Sequence, residues 1–514
     1  MFQLSVKDEL TFRTNGLGKD SLNILNMIAM FPEYAPYEAL CQLSRKPSMD
    51  LLLICHDLSQ RMIINEYTDG GQLAISFVRS EYREHIYSNI PPFDRKVIHK
   101  AIVDVLTSIP PDKVPDREAV LEYQCRQAGD PLGALEHKVT HMVTYIGGTY
   151  DLFQLQNVRF AGAENTDTQI EKIEQELNQL QYDYKNDPRL NSIRELILYL
   201  KSIYGISTGN YTMGLPAVHE MLLRCSRDSQ MQVIAHRQMA NYAIQIHNLS
   251  LLEEHVNAGL ATSKRCNDQA NLAALERYLG FLYILQGNYR QAREALNHSL
   301  DIIDKAYLPG IPHDAQASYA HNYIGDSYLK EGNYQKALAE YETALKIIEP
   351  HSYMTCRPIF YSGKGQALLA LGEYSAAKAA FENALKQFSI ARNLFAESIA
   401  LSFSALFACA DRDYARTEAL LQKAEQKANQ YQSLYSRSVL ELIKAILRKH
   451  FDLTGSGELL AILDHPYAYY ASQAFLYGSL GCFERELLTN LFTAKREQDD
   501  LLHGLWSDED TQKN

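Results

Sequence analysis

Along most of the chain, apolar residues recur at spacings of three and four, the period of a helix with one buried face. Small residues punctuate that pattern at fixed offsets. Gly-x-Tyr occurs at Gly209-Asn210-Tyr211, Gly287-Asn288-Tyr289, Gly332-Asn333-Tyr334 and Gly372-Glu373-Tyr374. In the last three, a second glycine stands seven residues earlier (Gly280, Gly325, Gly365) and an alanine three residues after the tyrosine (Ala292, Ala337, Ala377). A large residue follows four later, at Leu296, Tyr341 and Phe381, and then Ser299, Ala344 and Ala384. These spacings predict pairs of antiparallel helices. The first glycine lets the two helices approach closely, and the second ends helix A in a left-handed cap. The small-large-small series lays one stripe of helix B against helix A.

The segments LGFLYILQGNYRQAREALNHSL, IGDSYLKEGNYQKALAEYETAL and KGQALLALGEYSAAKAAFENAL resemble the tetratricopeptide repeat. Weaker copies flank them around Tyr211, Leu249 and Tyr414, with a degenerate unit in YQCRQAGDPLGALEHKV. A helical array is therefore expected over residues 111–450, with Pro309 to Pro312 as a loop insertion. Ile170, Ile173, Leu177, Leu180 and Tyr184 keep a 3,4,3,4 spacing that predicts one helix packed on its neighbour in that array, with a dimerising coiled coil, short at two heptads, as the lesser reading. Residues 451–514 read as closing helices and a polar tail.

Residues 1–110 follow a different pattern. Ser21 or Asp20 can cap a helix with Leu22, Leu25, Ile28 and Ala29 on its apolar side. A short helix follows Pro36, and Ser48 caps a third that carries Leu51, Leu52, Cys55 and Leu58. Met62-Ile63-Ile64, the turn Asp69-Gly70-Gly71 and the alternation from Leu73 to Phe77 then read as a β-hairpin. Three helices and a hairpin predict a winged helix. The expected fold class is mostly α: an N-terminal winged helix, with connecting helices, followed by a tetratricopeptide-like α-α superhelix.

After the hairpin, FVRSEYREHIYSNIPPFDRKVIHKAIVDVL sets Arg83-Glu84, Ile86-Tyr87, Arg95 and His99 in order. This resembles the segment after the NTPase core of bacterial STAND proteins, signal-transduction ATPases with numerous domains, in transcriptional regulators that carry a winged helix and then a tetratricopeptide array. QAGDPLGALEHKV and TYIGGTYDLFQLQ resemble the entry into that array. The resemblance implies signal transduction, transcription regulation and an NTPase module, from the same or an adjacent gene, as partner. It does not extend to a P-loop. In Gly16-Leu17-Gly18-Lys19-Asp20-Ser21, Arg13 holds the first glycine position and Asp20 the hydroxyl position, so phosphates lack their cradle. The chain reads as the sensor half of such a regulator. A stand-alone tetratricopeptide adaptor or peptide-pheromone receptor without an NTPase module is the second reading.

Composition narrows the chemistry. The 514 residues carry a net charge of −12, which argues against coating nucleic acid or anionic membrane. The third predicted helix bears Asp50 and Asp57 and no Lys or Arg before Arg61, so DNA reading by it is not expected. The eight cysteines form no CxxC pair and read as reduced, mostly buried thiols. No leader pattern or membrane-length apolar run occurs, and the chain reads as cytoplasmic. His137 and His141 share a helix face but lack a third metal ligand, and Cys55-His56-Asp57 diverge on a helix. No enzyme, cofactor or metal is expected.

Binding is the positive expectation. Superhelices of helical pairs present a concave groove lined by their A helices. With Gly280, Gly325 and Gly365 as position eight, the tetratricopeptide pattern sends positions two, five, nine, twelve and thirteen to that groove. Arg277, Phe281, Tyr319, Asn322, Asp326, Lys330, Ser362 and Gln366 fall there, and the weaker preceding repeat adds Arg237 and Asn241. Asparagine can pair with both groups of an extended peptide backbone, arginine can grip a carboxylate, and aromatic rings supply contact area. The expected partner is a peptide, a protein or a small effector.

Overall fold

The computed structural model describes residues 5–69, 72–110, 113–114, 116–150, 165–226, 229–305, 313–350, 356–389, 396–454, 461–477 and 480–493. The expected glycines of the hairpin turn, the Pro309–Pro312 insertion, the DLFQLQ end of TYIGGTYDLFQLQ and the polar tail lie outside them. The chain divides into two compact units: residues 1–145 with 156–197, and residues 146–155 with 198–514.

The first unit opens with α1 (Val6–Thr14), capped by the Ser5 hydroxyl, which accepts from the Asp8 N–H. α2 (Lys19–Ala29), β1 (Ala35–Pro36), α3 (Tyr37–Ser44) and α4 (Ser48–Gln60) follow. β2 (Ile64–Asp69) and β3 (Gln72–Phe77) pair antiparallel, with Glu66 opposite Ile75, and β1 adds to β3 in the order β1-β3-β2. The two-residue β1 is too short to leave a periodic signal in the sequence. Neither Asp20 nor Ser21 caps α2, which starts one residue before Asp20. Asp20 instead accepts from Lys46 Nζ at 2.7 Å. Ile24, Leu25 and Ile28 pack with Leu51, Cys55, Leu58, Ile64 and Ile75 in one core.

Continuing the chain are α5 (Ser80–Asn89), α6 (Pro92–Ser108), α7 (Arg117–Ala128), α8 (Pro131–Tyr150) and α9 (Thr166–Asp183). The Arg83, Tyr87, Arg95 and His99 series converges here. Arg83 Nε donates to the Phe31 carbonyl at 2.6 Å, Arg95 lies 4.9 Å from the Tyr87 ring centre, and buried His99 meets Tyr87 and Gln124. Gln124 in turn donates to the Met30 carbonyl. This motif ties α5, α6 and α7 to the end of α2. His137 pairs with Glu118 at 2.7 Å. On α9, Ile170, Ile173 and Leu177 are buried.

The second unit is a stack of helical pairs, and its fold is a tetratricopeptide-like array. α10 (Arg189–Thr208), which begins in the first unit, leads into α11 (Tyr211–Arg224). α12 (Gln230–Ile246), α13 (Leu249–Cys266), α14 (Gln269–Leu285), α15 (Tyr289–Lys305), α16 (His313–Glu331) and α17 (Tyr334–Ile347) follow. α18 (Arg357–Ala370), α19 (Tyr374–Phe388), α20 (Glu397–Ala410), α21 (Tyr414–Gln430), α22 (Leu434–Thr454), α23 (Tyr467–Tyr477) and α24 (Cys482–Thr493) complete it. Each helix A also touches the next, from α12 through α22, and these even-numbered helices form one layer.

The glycine spacing has the predicted mechanical meaning. A Cβ on Gly280 would sit 2.6 Å from the Leu296 side chain, and one on Gly325 or Gly365 2.8 Å from the ring of Tyr341 or Phe381. Gly287, Gly332 and Gly372 adopt φ of 78°, 90° and 79°, the left-handed caps that end their A helices. His247, Asn267 and Arg412 take left-handed turns without glycine, which is why the flanking units look degenerate in sequence. No described helix is long and apolar enough to cross a membrane. All eight cysteines are thiols rather than halves of disulfides.

Candidate ligand-binding groove

The A helices surround a cavity. Residues of α12, α14, α16, α18 and α22 line it, joined by Ala396 and Ile399 at the start of α20. It encloses about 1280 Å³ not filled by protein atoms, including the part open to solvent. Its wall is mainly apolar and aromatic. Phe281 and Tyr323 lie 5.0 Å apart between ring centres, with Tyr278, Tyr319, Ile244 and Ile284 around them.

Asn241, Phe281, Tyr319, Asn322, Asp326, Lys330, Ser362 and Gln366 all line this cavity. The two expected arginines do not. Arg237 is buried in α12. Arg277 has no exposed surface, and its Nη1 donates to Gln316 Oε1 at 2.5 Å while its guanidinium lies 5.9 and 5.4 Å from the ring centres of Tyr278 and Tyr319. In α14 the next residue, Tyr278, takes the cavity face instead.

Position six of helix A is what the sequence reading left out. Tyr278, Tyr323 and Gly363 all line the cavity from it. The signal was available, since position six lies one helical turn beyond position two and shares its face. His247, Ser433 and Tyr435 come from turns and from a pair outside the recognisable repeats, so nothing in the glycine pattern marks them. His247 stacks on Tyr435 at 5.7 Å. Burial and the Lys330 ammonium hold the imidazole pKa down at about 4, so it is neutral.

Polar groups in the wall form a connected set. The Tyr341 hydroxyl donates to Asp326 Oδ1 at 2.6 Å, and Asn322 Nδ2 donates to Asp326 Oδ2 at 3.3 Å. Burial raises the Asp326 carboxyl to a pKa of about 6, against the opposing pull of Tyr341 and Lys330. Lys330 Nζ donates to Glu484 Oε1 at 2.8 Å, and the Tyr435 hydroxyl reaches the same oxygen at 2.7 Å. Glu484 lies on α24 and is 1% exposed. Burial works to raise its pKa, yet Lys330 and Tyr435 outweigh that and hold it below the ordinary glutamate value. Four wall atoms have no hydrogen-bond partner: His247 Nε2, Asn322 Oδ1, Ser362 Oγ and Gln366 Oε1.

Residues 271–349 and 360–387 match tetratricopeptide-repeat models. No curated protein matches the chain. Among solved structures, the chain is similar to a signal transduction ATPase with numerous domains (STAND) protein with a tetratricopeptide repeat sensor, from Pyrococcus horikoshii. Identity there is 15% and the TM-score 0.43, over 93% of this chain and 65% of that one, so this chain spans just under two thirds of that protein's length. It is also similar to a Rap protein complexed with competence and sporulation factor, at 14% identity and a TM-score of 0.45, over 74% of this chain and 93% of that one. A tetratricopeptide repeat protein from Parabacteroides merdae shares 15% identity at a TM-score of 0.36, over 54% of this chain and 93% of that one.

Proposed function

We propose that the chain is a non-catalytic sensor or scaffold region that binds a peptide, protein or small effector in the cavity between its A helices. One observation carries the reading. Eight side chains that the repeat phase sends to a groove line a single cavity, and three of them hold buried polar atoms without partners. Such atoms are costly in a finished interior and are satisfied when a ligand or water enters. The aromatic wall supplies the apolar area that ligand sites commonly use.

The order of the N-terminal elements, three helices and a hairpin before the array, supports placing this sensor in a STAND-type transcriptional regulator with an NTPase module as partner. In that setting the effector must prefer one arrangement of the array over another, because equal affinity for both switches nothing. Native mass spectrometry of the chain purified from its host tests the binding reading. We expect an adduct on the wild type that Asn322→Ala and the cavity-filling Ser362→Trp lose, while both variants keep a cooperative melt. An adduct retained equally by both variants overturns it.

A further inference from the structure

The cavity wall also says what kind of group its ligand presents. Two of the partnerless atoms belong to carboxamides, whose oxygen and nitrogen are easily exchanged in a structure. Here each orientation is pinned. Asn322 Nδ2 faces the Asp326 carboxylate, and Gln366 Nε2 lies 3.4 Å from the Ser362 carbonyl oxygen. Both of those partners accept when Asp326 is ionised, so the free atom of each amide is its carbonyl oxygen. Asn322 and Gln366 are 2% and 7% exposed, so neither is satisfied by bulk water.

Among the described residues no cation is ion-paired with Asp326. Lys330, one turn along α16, is engaged by Glu484 of α24, and these two opposite charges offset one another. From the other elements, Tyr341 of α17 and Tyr435 of α22 contribute neutral hydroxyls, and His247 after α12 is neutral. Arg277 of α14 is fully buried, 5.9 and 5.4 Å from the ring centres of Tyr278 and Tyr319, and its charge acts on Tyr323. Within its own helix, Asp326 meets the amide of Asn322, the nearby Tyr323 and, one turn on, Lys330, whose ammonium Glu484 engages. The wall therefore offers a carboxylate, two vacant carbonyl oxygens and aromatic faces. Aromatic faces attract cations, most strongly when water is excluded.

Resting on the groove reading above, we infer that the cavity is a subsite for one cationic group, an ammonium or guanidinium, carried on an apolar stem. Such a group donates to Asn322 Oδ1, Gln366 Oε1 and Asp326, while its stem lies against Phe281 and Tyr323. A basic side chain of a peptide and a free organic amine share this chemistry.

Isothermal titration calorimetry with 4-phenylbutylamine and its neutral analogue 4-phenylbutan-1-ol tests the assignment on the full chain. At pH 8, with Asp326 ionised, we expect the amine to bind at least tenfold tighter than the alcohol. At pH 5 that preference falls at least fivefold, because Asp326 takes up a proton. Asp326→Asn removes the preference at pH 8. The wild-type pH comparison stands even if that variant fails to fold. A lysine-containing acetylated tetrapeptide amide and its norleucine counterpart form the second arm. Discrimination by the peptides alone assigns the subsite to a peptide side chain, and discrimination by the free amine assigns it to a small amine. Equal binding of the charged and neutral members of both pairs overturns the inference and leaves the groove reading standing. No saturable binding of either cation overturns it too, and the adduct test then decides the groove reading separately.

Discussion

Asp326 shows how one side chain links the cavity to stability. Its folded pKa of about 6 lies above the roughly 3.9 of an unfolded aspartate. The folded chain thus holds this proton more tightly than the unfolded chain, and the ionised group costs stability above about pH 6. That cost fades as pH falls towards 4. Asp326→Asn removes the titration. Urea unfolding should show the variant gaining on wild type by on the order of 1–3 kcal/mol between pH 4 and pH 7. His247 titrates with the opposite sign, but it is present in both proteins and cancels in the difference. A difference that stays flat across this range would contradict the buried-carboxylate account. The same scale shows which residues a sequence can reveal. Asn322, Asp326 and Gln366 were legible because repeat phase alone decides which way they face. Arg277 was not, since its outcome depends on Gln316 of the next A helix and on two tyrosine rings.

Single helices are governed by the glycines. Gly325 and Gly363 both abut Tyr341, at 2.8 and 2.5 Å from where a Cβ would stand, so this ring is wedged between two A helices. Gly325→Ala or Gly363→Ala must displace a fully buried ring that donates to Asp326, and each should cost about 1–3 kcal/mol in chemical denaturation. Gly287→Ala meets no neighbour, but its φ of 78° is unfavourable for alanine, so its cost should come from backbone strain, about 1 kcal/mol. Helical pairs of this kind are readable from sequence because contacts inside a pair are local and repeat their spacing. α24 carries no repeat signature, and its position is set by partners far away in the chain. Glu484→Gln leaves the Lys330 ammonium, 11% exposed, without its counter-charge. We expect a loss of about 3–5 kcal/mol. Hydrogen exchange should place the loss at the Cys482–Thr493 amides, and unchanged protection there would show that Phe483 and the leucines of α24 hold the helix unaided.

Across the second unit, the array returns on itself. The Tyr211 hydroxyl donates to the Tyr431 carbonyl at 2.9 Å, and Gln430 Nε2 donates to the Thr208 carbonyl at 3.0 Å. A Cβ on Gly209 would stand 2.9 Å from the Gln430 carbonyl oxygen. Tyr211→Phe removes a buried hydroxyl shared between Gln245 Oε1 at 2.8 Å and the Tyr431 carbonyl at 2.9 Å, and should cost about 1–2 kcal/mol. Exchange should quicken at both α11 and the end of α21, although they are far apart in sequence. Quickening at α11 alone would mean that this contact carries no load. An open solenoid can gain or lose a unit, because each unit answers only to its neighbours. Here the turn before Tyr211 must arrive opposite the turn after Gln430. Duplicating or deleting one helical pair would carry the two out of step by a whole pair. The number of pairs between them is therefore held fixed by geometry, and lineages of this fold should diversify through side chains and turns rather than by copying units.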